Sequence, residues 1–288
     1  MRDLDGKLVV ITGGASGMGL AFAHRFAAAG MKVAIGDIEE AALDRAVSEL
    51  RAAGAEVFGG RCDVSDIGSF RAFATEVDAG FGAAHVICLN AGVAASGLMV
   101  ERTLADWQWV LGVNLWGVIH GLDVYLGGLL EQDDGHVVIT ASVAGHTSFP
   151  EIGPYNASKH AVSTIAETLH NELAAAGSKV GVTSLCPGFV ATGIFDSDRN
   201  RPEHLVDALA EPPSDEDLAR RKMVQEWMAQ NARDPAEVAD MVHDAVRDQT
   251  FWVFTDPDHL EPIERRHDEI RSRRNPSQEQ GIGLSLLD

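Results

Sequence analysis

Cations, cysteines and long apolar runs are all scarce in this chain, and each shortage narrows the field. Only 23 Lys and Arg stand against 43 Asp and Glu, a net charge of −20 over 288 residues. A surface of that sign repels phosphate backbones and anionic lipid headgroups, which argues against nucleic acid or membrane as partner. The three cysteines, Cys62, Cys88 and Cys186, are scattered and odd in number, so they read as small core residues of a reduced, cytoplasmic protein. The N-terminus carries acids at Asp3 and Asp5, and its first apolar run, Leu8 to Ile11, is too short for a signal peptide or a membrane span. The eleven histidines show no HExxH and no clustered Cys/His spacing, so no catalytic metal is expected. With 45% hydrophobic residues the chain can bury a substantial core, and its length suits one main domain.

The pattern along the chain alternates. Short apolar runs at 7–11, 31–36, 55–60, 84–89, 136–141 and 180–185 alternate with helical periodicity at 20–29, 39–53, 66–79, 103–130 and 155–176. A helix at 235–248 and a strand at 251–255 follow. That order predicts an α/β fold, a doubly wound parallel sheet of about seven strands with helices on both faces. Gly30, Gly54 and Gly177 stand where helix C-termini belong.

The chemistry gathers where strands end. The first strand runs into Thr12-Gly13-Gly14-Ala15-Ser16-Gly17-Met18-Gly19 and then a helix, so its backbone can cradle a pyrophosphate at a helix N-terminus. The spacing is not GxGxxG, and strand–loop–helix context is what supports a dinucleotide. Asp37, at the end of the second strand, is placed to hydrogen-bond an adenosine ribose and to repel a 2′-phosphate. With the apolar Ile38 beside it and no Arg or Lys in the glycine loop, it favours NAD over NADP. Asp37 also suits a helix cap. Cys62-Asp63-Val64 ends the third strand, where Asp63 serves either an adenine edge or a cap. Asn90-Ala91-Gly92 ends the fourth, and Asn114 sits amid apolar neighbours, as structural glue or a polar device.

Ser142 ends the fifth strand, and thirteen residues on come Tyr155 and Lys159, one turn apart on a helix face. A free tyrosine titrates near 10, and a neighbouring ammonium favours its phenolate, which brings it towards the range of general acid–base work. A surface Tyr/Lys pair is the plainer alternative; convergence of the other motifs on the same sheet edge argues against it. Ser142 with His146 is no hydrolase pair, because Thr140-Ala141-Ser142-Val143-Ala144 lacks the Gly-x-Ser-x-Gly elbow.

Over roughly residues 5–255 the chain resembles the short-chain dehydrogenase/reductase family. The likeness rests on Thr12-Gly13…Gly17-Met18-Gly19, Asp63, Asn90-Ala91-Gly92, Asn114, Ser142, Tyr155 with Lys159, and Pro187-Gly188-Phe189-Val190-Ala191-Thr192. It implies a Rossmann-type fold, an NAD(P) cofactor and hydride transfer between nicotinamide and a carbinol carbon. It implies Tyr155 as acid or base, Lys159 as its activator and a holder of the nicotinamide ribose, and Ser142 bonded to the substrate oxygen. Asn114 would position a water, Thr192 would hold the carboxamide, and Pro187, Gly188 and Val190 would join it in binding the cofactor.

Residues 193–233 break the regular pattern, with Pro202, Pro212 and Pro213 and a helical look only at 215–230. In the family this is the substrate lid. Its Ile194, Phe195, Leu205, Met223, Trp227 and Met228, with Val93, Met99 and Phe149, suggest a bulky, apolar alcohol or ketone. Length and lid loosely resemble dehydrogenases of benzylic alcohols in lignin-derived aryl ethers. The domain is read as 1–257, and 258–288 as an extension beyond the family pattern, helical over 258–274. A homodimer or homotetramer is expected. The alternatives are an NADP-dependent carbonyl reductase and a non-catalytic dinucleotide-binding regulator.

Overall fold

In the computed structural model, residues 3–206, 222–223, 226–227 and 230–277 are described. Most of the expected helix at 215–230, including Met228, lies outside them, as does most of 275–288.

Seven parallel strands form one sheet in the order β3-β2-β1-β4-β5-β6-β7. They are β1 Leu8–Thr12, β2 Lys32–Asp37, β3 Val57–Arg61, β4 Val86–Leu89, β5 His136–Thr140, β6 Gly181–Cys186 and β7 Trp252–Phe254. Register places Ile11 beside both Ile35 and Cys88. Every residue of β1, β4 and β5 is buried, as expected of parallel strands covered on both sides. Alternate residues then feed two cores. Val9, Ile11, Val33 and Ile35 pack with Phe22 and Phe26 on one side, while Leu8, Val10 and Ile87 pack with Phe70, Phe73 and Leu129 on the other.

The first core is roofed by α1 Gly17–Ala28, α2 Glu40–Ala52 and α7 Pro235–Asp248, the second by α3 Ile67–Phe81, α5 Gly117–Gln132 and α6 Gly153–Ala176. Gly30, Gly54 and Gly177 all take positive φ just past helix ends, as their placement in the sequence predicts. The single helix expected at 103–130 is instead two, α4 Leu104–Leu111 and α5, joined by a π turn at Gly112–Trp116 that contains Asn114. A buried asparagine that turns its amide to neighbouring segments gives this stretch partners outside its own helix ladder. The whole stretch Leu104–Gln132 is long and apolar enough to span a bilayer by length and composition. In the fold it contributes Val118, Tyr125 and Leu129 to the second core.

Past β7, α8 Leu260–Arg271 confirms the helical reading of 258–274 and anchors itself through buried Ile263 and Glu269. His259, just before it, packs on Gly188 beyond β6. The strand order reverses between β1 and β4, and open α/β sheets bind ligands at the carboxyl edge of such a point.

Candidate active site

At that edge Gly13 takes φ +64°, and a Cβ there would lie 2.9 Å from Ala91 Cα. A Cβ on Gly19 would lie 2.0 Å from the Gly13 carbonyl oxygen. The loop therefore leaves its backbone bare, which is the cradle a pyrophosphate needs. Ser16 caps α1 without a side-chain hydrogen bond, so the first-turn amides and the positive end of the helix dipole remain for an anion. Asn90 stitches the neighbouring loop in place. Its Nδ2 donates to the carbonyls of Thr12 and Gly13 at 3.2 and 3.4 Å, and its Oδ1 accepts from Thr140 Oγ1 at 3.2 Å. Thr12 Oγ1 accepts from the amides of Asn90 and Ala91.

Asp37 is buried, and its carboxylate accepts from the Ala15 and Glu39 amides at 3.0 Å each. Burial raises its pKa against those two bonds. Helix α2 has Glu39 at its N-cap position with no side-chain capping bond, and Asp37 holds the amide of that residue. Asp63 does not cap α3. It accepts from the Ser65 amide and hydroxyl at 3.0 and 2.7 Å, while Asp66 caps α3 through the Gly68 amide.

Tyr155 and Lys159 share the first turns of α6. The ammonium lies 5.5 Å from the centre of the tyrosine ring and donates to the Thr140 carbonyl at 2.7 Å. Burial pushes the Tyr155 hydroxyl up, and a hydrogen bond with Ser142 opposes this. Burial lowers Lys159 to about 8. Ser142 also donates to the Pro187 carbonyl at 3.4 Å and accepts from the Ala144 amide at 3.1 Å. Asn114 uses its whole side chain on the fold. Its Oδ1 accepts from the Val93 amide at 2.8 Å, and its Nδ2 donates to the Val93 carbonyl at 2.9 Å and to Ser158 Oγ at 3.1 Å. Ser158 in turn donates to the Tyr155 carbonyl at 2.7 Å, so Asn114 braces the loop after β4 against the helix that carries Tyr155.

One cleft joins these ends, enclosing about 1050 Å³ of space partly open to solvent. Of the residues singled out from the sequence, Gly13, Ser16, Gly17, Met18, Asp37, Ile38, Cys62, Asp63, Val64, Asn90, Ala91, Gly92, Tyr155, Lys159, Pro187 and Thr192 line it. Thr12, Gly19, Asn114, Gly188 and Val190 are not among the lining residues, and Ser142 adjoins the cleft through its hydrogen bond with Tyr155. Gly188 packs on His259, and Val190 is buried beside Arg233, its backbone partner.

The sequence reading missed a second set. Glu39, Trp109, Ser197, Arg199 and Asn200 also line the cleft. The segment Ile194–Asn200 crosses it and is tied down on both sides. Ser197 bonds the Ala94 amide and carbonyl at 3.0 and 3.1 Å, and Arg199 and Asn200 each donate to Glu39 at 2.7 Å. Arg201 continues the fastening, 2.7 Å from Asp106 and over the face of Trp109. No periodicity marks such ties, because each joins residues far apart in the chain. Among the described residues there is no group of three or more His, Cys, Asp or Glu able to hold a metal.

The family model for short chain dehydrogenases matches residues 7–203. This chain belongs to that family. Relatives match it over most of its length. A short chain dehydrogenase/reductase from Burkholderia phymatum, solved in complex with NAD, is 43% identical, with a TM-score of 0.92 over 98% of this chain and 100% of the other. The C alpha-dehydrogenase of Sphingobium sp. SYK-6 is 30% identical over 94% of this chain and 87% of its own. An alcohol dehydrogenase from the archaeon Thermococcus sibiricus, complexed with 5-hydroxy-NADP, is 25% identical, with a TM-score of 0.70 over 87% and 96%. The family thus includes members solved with either cofactor type, and this chain is an oxidoreductase of that family.

Proposed function

We propose that this short-chain dehydrogenase is an NAD-dependent alcohol dehydrogenase or ketoreductase acting on a bulky, apolar secondary alcohol or ketone. The observation that carries the reading is that Tyr155, hydrogen-bonded to Ser142 and one turn from Lys159, shares a cleft with the glycine loop and Asp37. Gly13, Gly17 and Gly19 with the α1 amides would hold the pyrophosphate, Asp37 the adenosine ribose, and Thr192 and Pro187 the carboxamide end. The bound nicotinamide supplies the partner for hydride exchange. In the oxidative direction Tyr155 takes the carbinol proton while Ser142 donates to the same oxygen, so negative charge grows where donors already stand. Lys159 favours the phenolate that this demands. Asn114 spends its side chain on Val93 and Ser158, and the family resemblance implies that it positions a water.

Apolar Val93, Trp109, Val113 and Ile194 on the cleft wall support a bulky substrate. The name of the Sphingobium relative, a C alpha-dehydrogenase, adds support for dehydrogenation at a carbon centre. The test is NADH formation, followed by absorbance, with NAD and a panel of secondary alcohols running from small aliphatic to steroid and benzylic. Turnover on a bulky member supports the proposal. Turnover confined to small aliphatic alcohols, or to NADP, removes the corresponding part.

Exposed Leu104, Trp116 and Leu130 on α4 and α5 and the turn between them support a contact between copies. The assembly is then a homodimer or homotetramer, which light scattering reads as two or four times 30.8 kDa.

A further inference from the structure

Glu39 lies two residues past Asp37 and does an unexpected thing with its charge. Its Oε1 accepts three donors from the crossing segment: Arg199 Nε at 3.1 Å, Arg199 Nη2 at 2.7 Å and Asn200 Nδ2 at 2.7 Å. The remaining Arg199 nitrogen, Nη1, donates to the carbonyls of Gly193 and Asp196 at 3.2 and 2.7 Å. Four of the five guanidinium N–H donors are thus engaged, both of those on the Glu39 side by the same carboxylate oxygen. Arg199 and Lys159 are the cationic side chains among the residues lining the cleft, and Lys159 stands at the opposite end, beside Tyr155. Arg199 is therefore the cation that the described lining places beside Glu39, two residues past the carboxylate expected to face the ribose; Arg61, level with Asp37 on β3 and paired with Glu40, and Arg45 stand outside that lining. A guanidinium is well suited to a phosphate, since its fork of N–H donors matches two phosphate oxygens.

We propose that Glu39 is a second cofactor-specificity residue, acting by holding Arg199 away from a 2′-phosphate. The proposal rests on the NAD reading above and deepens it: Asp37 discriminates by repulsion, and Glu39 by withholding the cation that would offset it. A 2′-phosphorylated cofactor has to compete with a carboxylate already bonded to the guanidinium. An unphosphorylated ribose asks nothing of Arg199, so the bond survives its binding.

The test measures equilibrium binding of NADH and NADPH, by nicotinamide fluorescence, to the full-length wild type, Glu39→Gln, Arg199→Ala and the double variant, with Asp37 intact throughout. Glu39→Gln keeps the shape and removes the charge. It is expected to tighten NADPH about tenfold relative to NADH, an effect the size of one partly solvated charge pair. Arg199→Ala alone is expected to bring no such gain, and the double variant to lose the gain of Glu39→Gln. A gain that persists in the double variant means that Glu39 repels phosphate directly, and it overturns the proposal. An unchanged NADPH-to-NADH ratio in Glu39→Gln also overturns it. A wild type that binds NADPH as tightly as NADH, or binds neither, is a separate result: it removes the underlying NAD reading before any variant is compared.

Discussion

Tyr155 is held between opposing effects. Burial keeps its proton on, while the Ser142 hydroxyl and a nearby ammonium favour taking it off. Replacing Tyr155 by Phe removes the group that moves the proton and leaves the cleft wall in place. Turnover should fall roughly a hundred- to ten-thousand-fold while NADH still binds in a fluorescence titration. Variant turnover within a few fold of wild type would take Tyr155 out of the mechanism. The pH profile follows from the same group. Oxidation uses the deprotonated tyrosine, so its rate rises with pH through the tyrosine's pKa; reduction uses the protonated form and falls over the same range. Lys159, lowered to about 8 by burial, supports the phenolate only while it carries a proton. Lys159→Met should therefore move the rising limb of oxidation to higher pH. A limb that stays put would mean that Lys159 orients the site without acting on the charge.

At the level of elements, the end of β6 and the start of α8 depend on each other. A Cβ on Gly188 would lie 1.7 Å from His259 Cε1, and His259 is buried just before α8. The same loop is fastened again where the Gly188 amide donates to Thr255 Oγ1 at 3.0 Å. Gly188→Ala must push the imidazole or the loop aside, at a cost of about 1–3 kcal/mol in chemical denaturation. Adding His259→Ala makes room for the methyl, so the double variant should lose less than the sum of the two single changes. Strict additivity would show that the two residues do not press on each other. The segment past β7 thus props the loop whose Pro187 carbonyl accepts the Ser142 hydrogen bond.

The whole molecule carries a net charge of −20, and the dinucleotide read into its cleft is itself an anion. Their long-range interaction is repulsive, and salt weakens it. NADH association in stopped flow should accelerate a few fold as ionic strength rises from about 0.01 to 0.15 M, which shortens the Debye length from about 30 to 8 Å. The opposite slope would mean that the local field of the α1 N-terminus, Lys159 and Arg199 outweighs the rest of the surface.

Periodicity and local turn chemistry were enough for the order of strands and helices, the bare glycine loop, and Asp37, Asn90, Ser142 and Tyr155 at one sheet edge. These are local properties: a strand end, a helix start and a four-residue spacing are written in neighbouring residues. The π turn at Asn114 was not legible, since its cause is an amide bonded to Val93 and Ser158, distant in the chain. Nor did the chain order reveal that an arginine reaches Glu39, two residues past Asp37. The glycine loop itself holds no Arg or Lys. Folding brings Arg199 to Glu39 across 160 positions. Only the tertiary structure decides such a contact, because opposite charges attract according to their distance in space, whatever their separation along the chain.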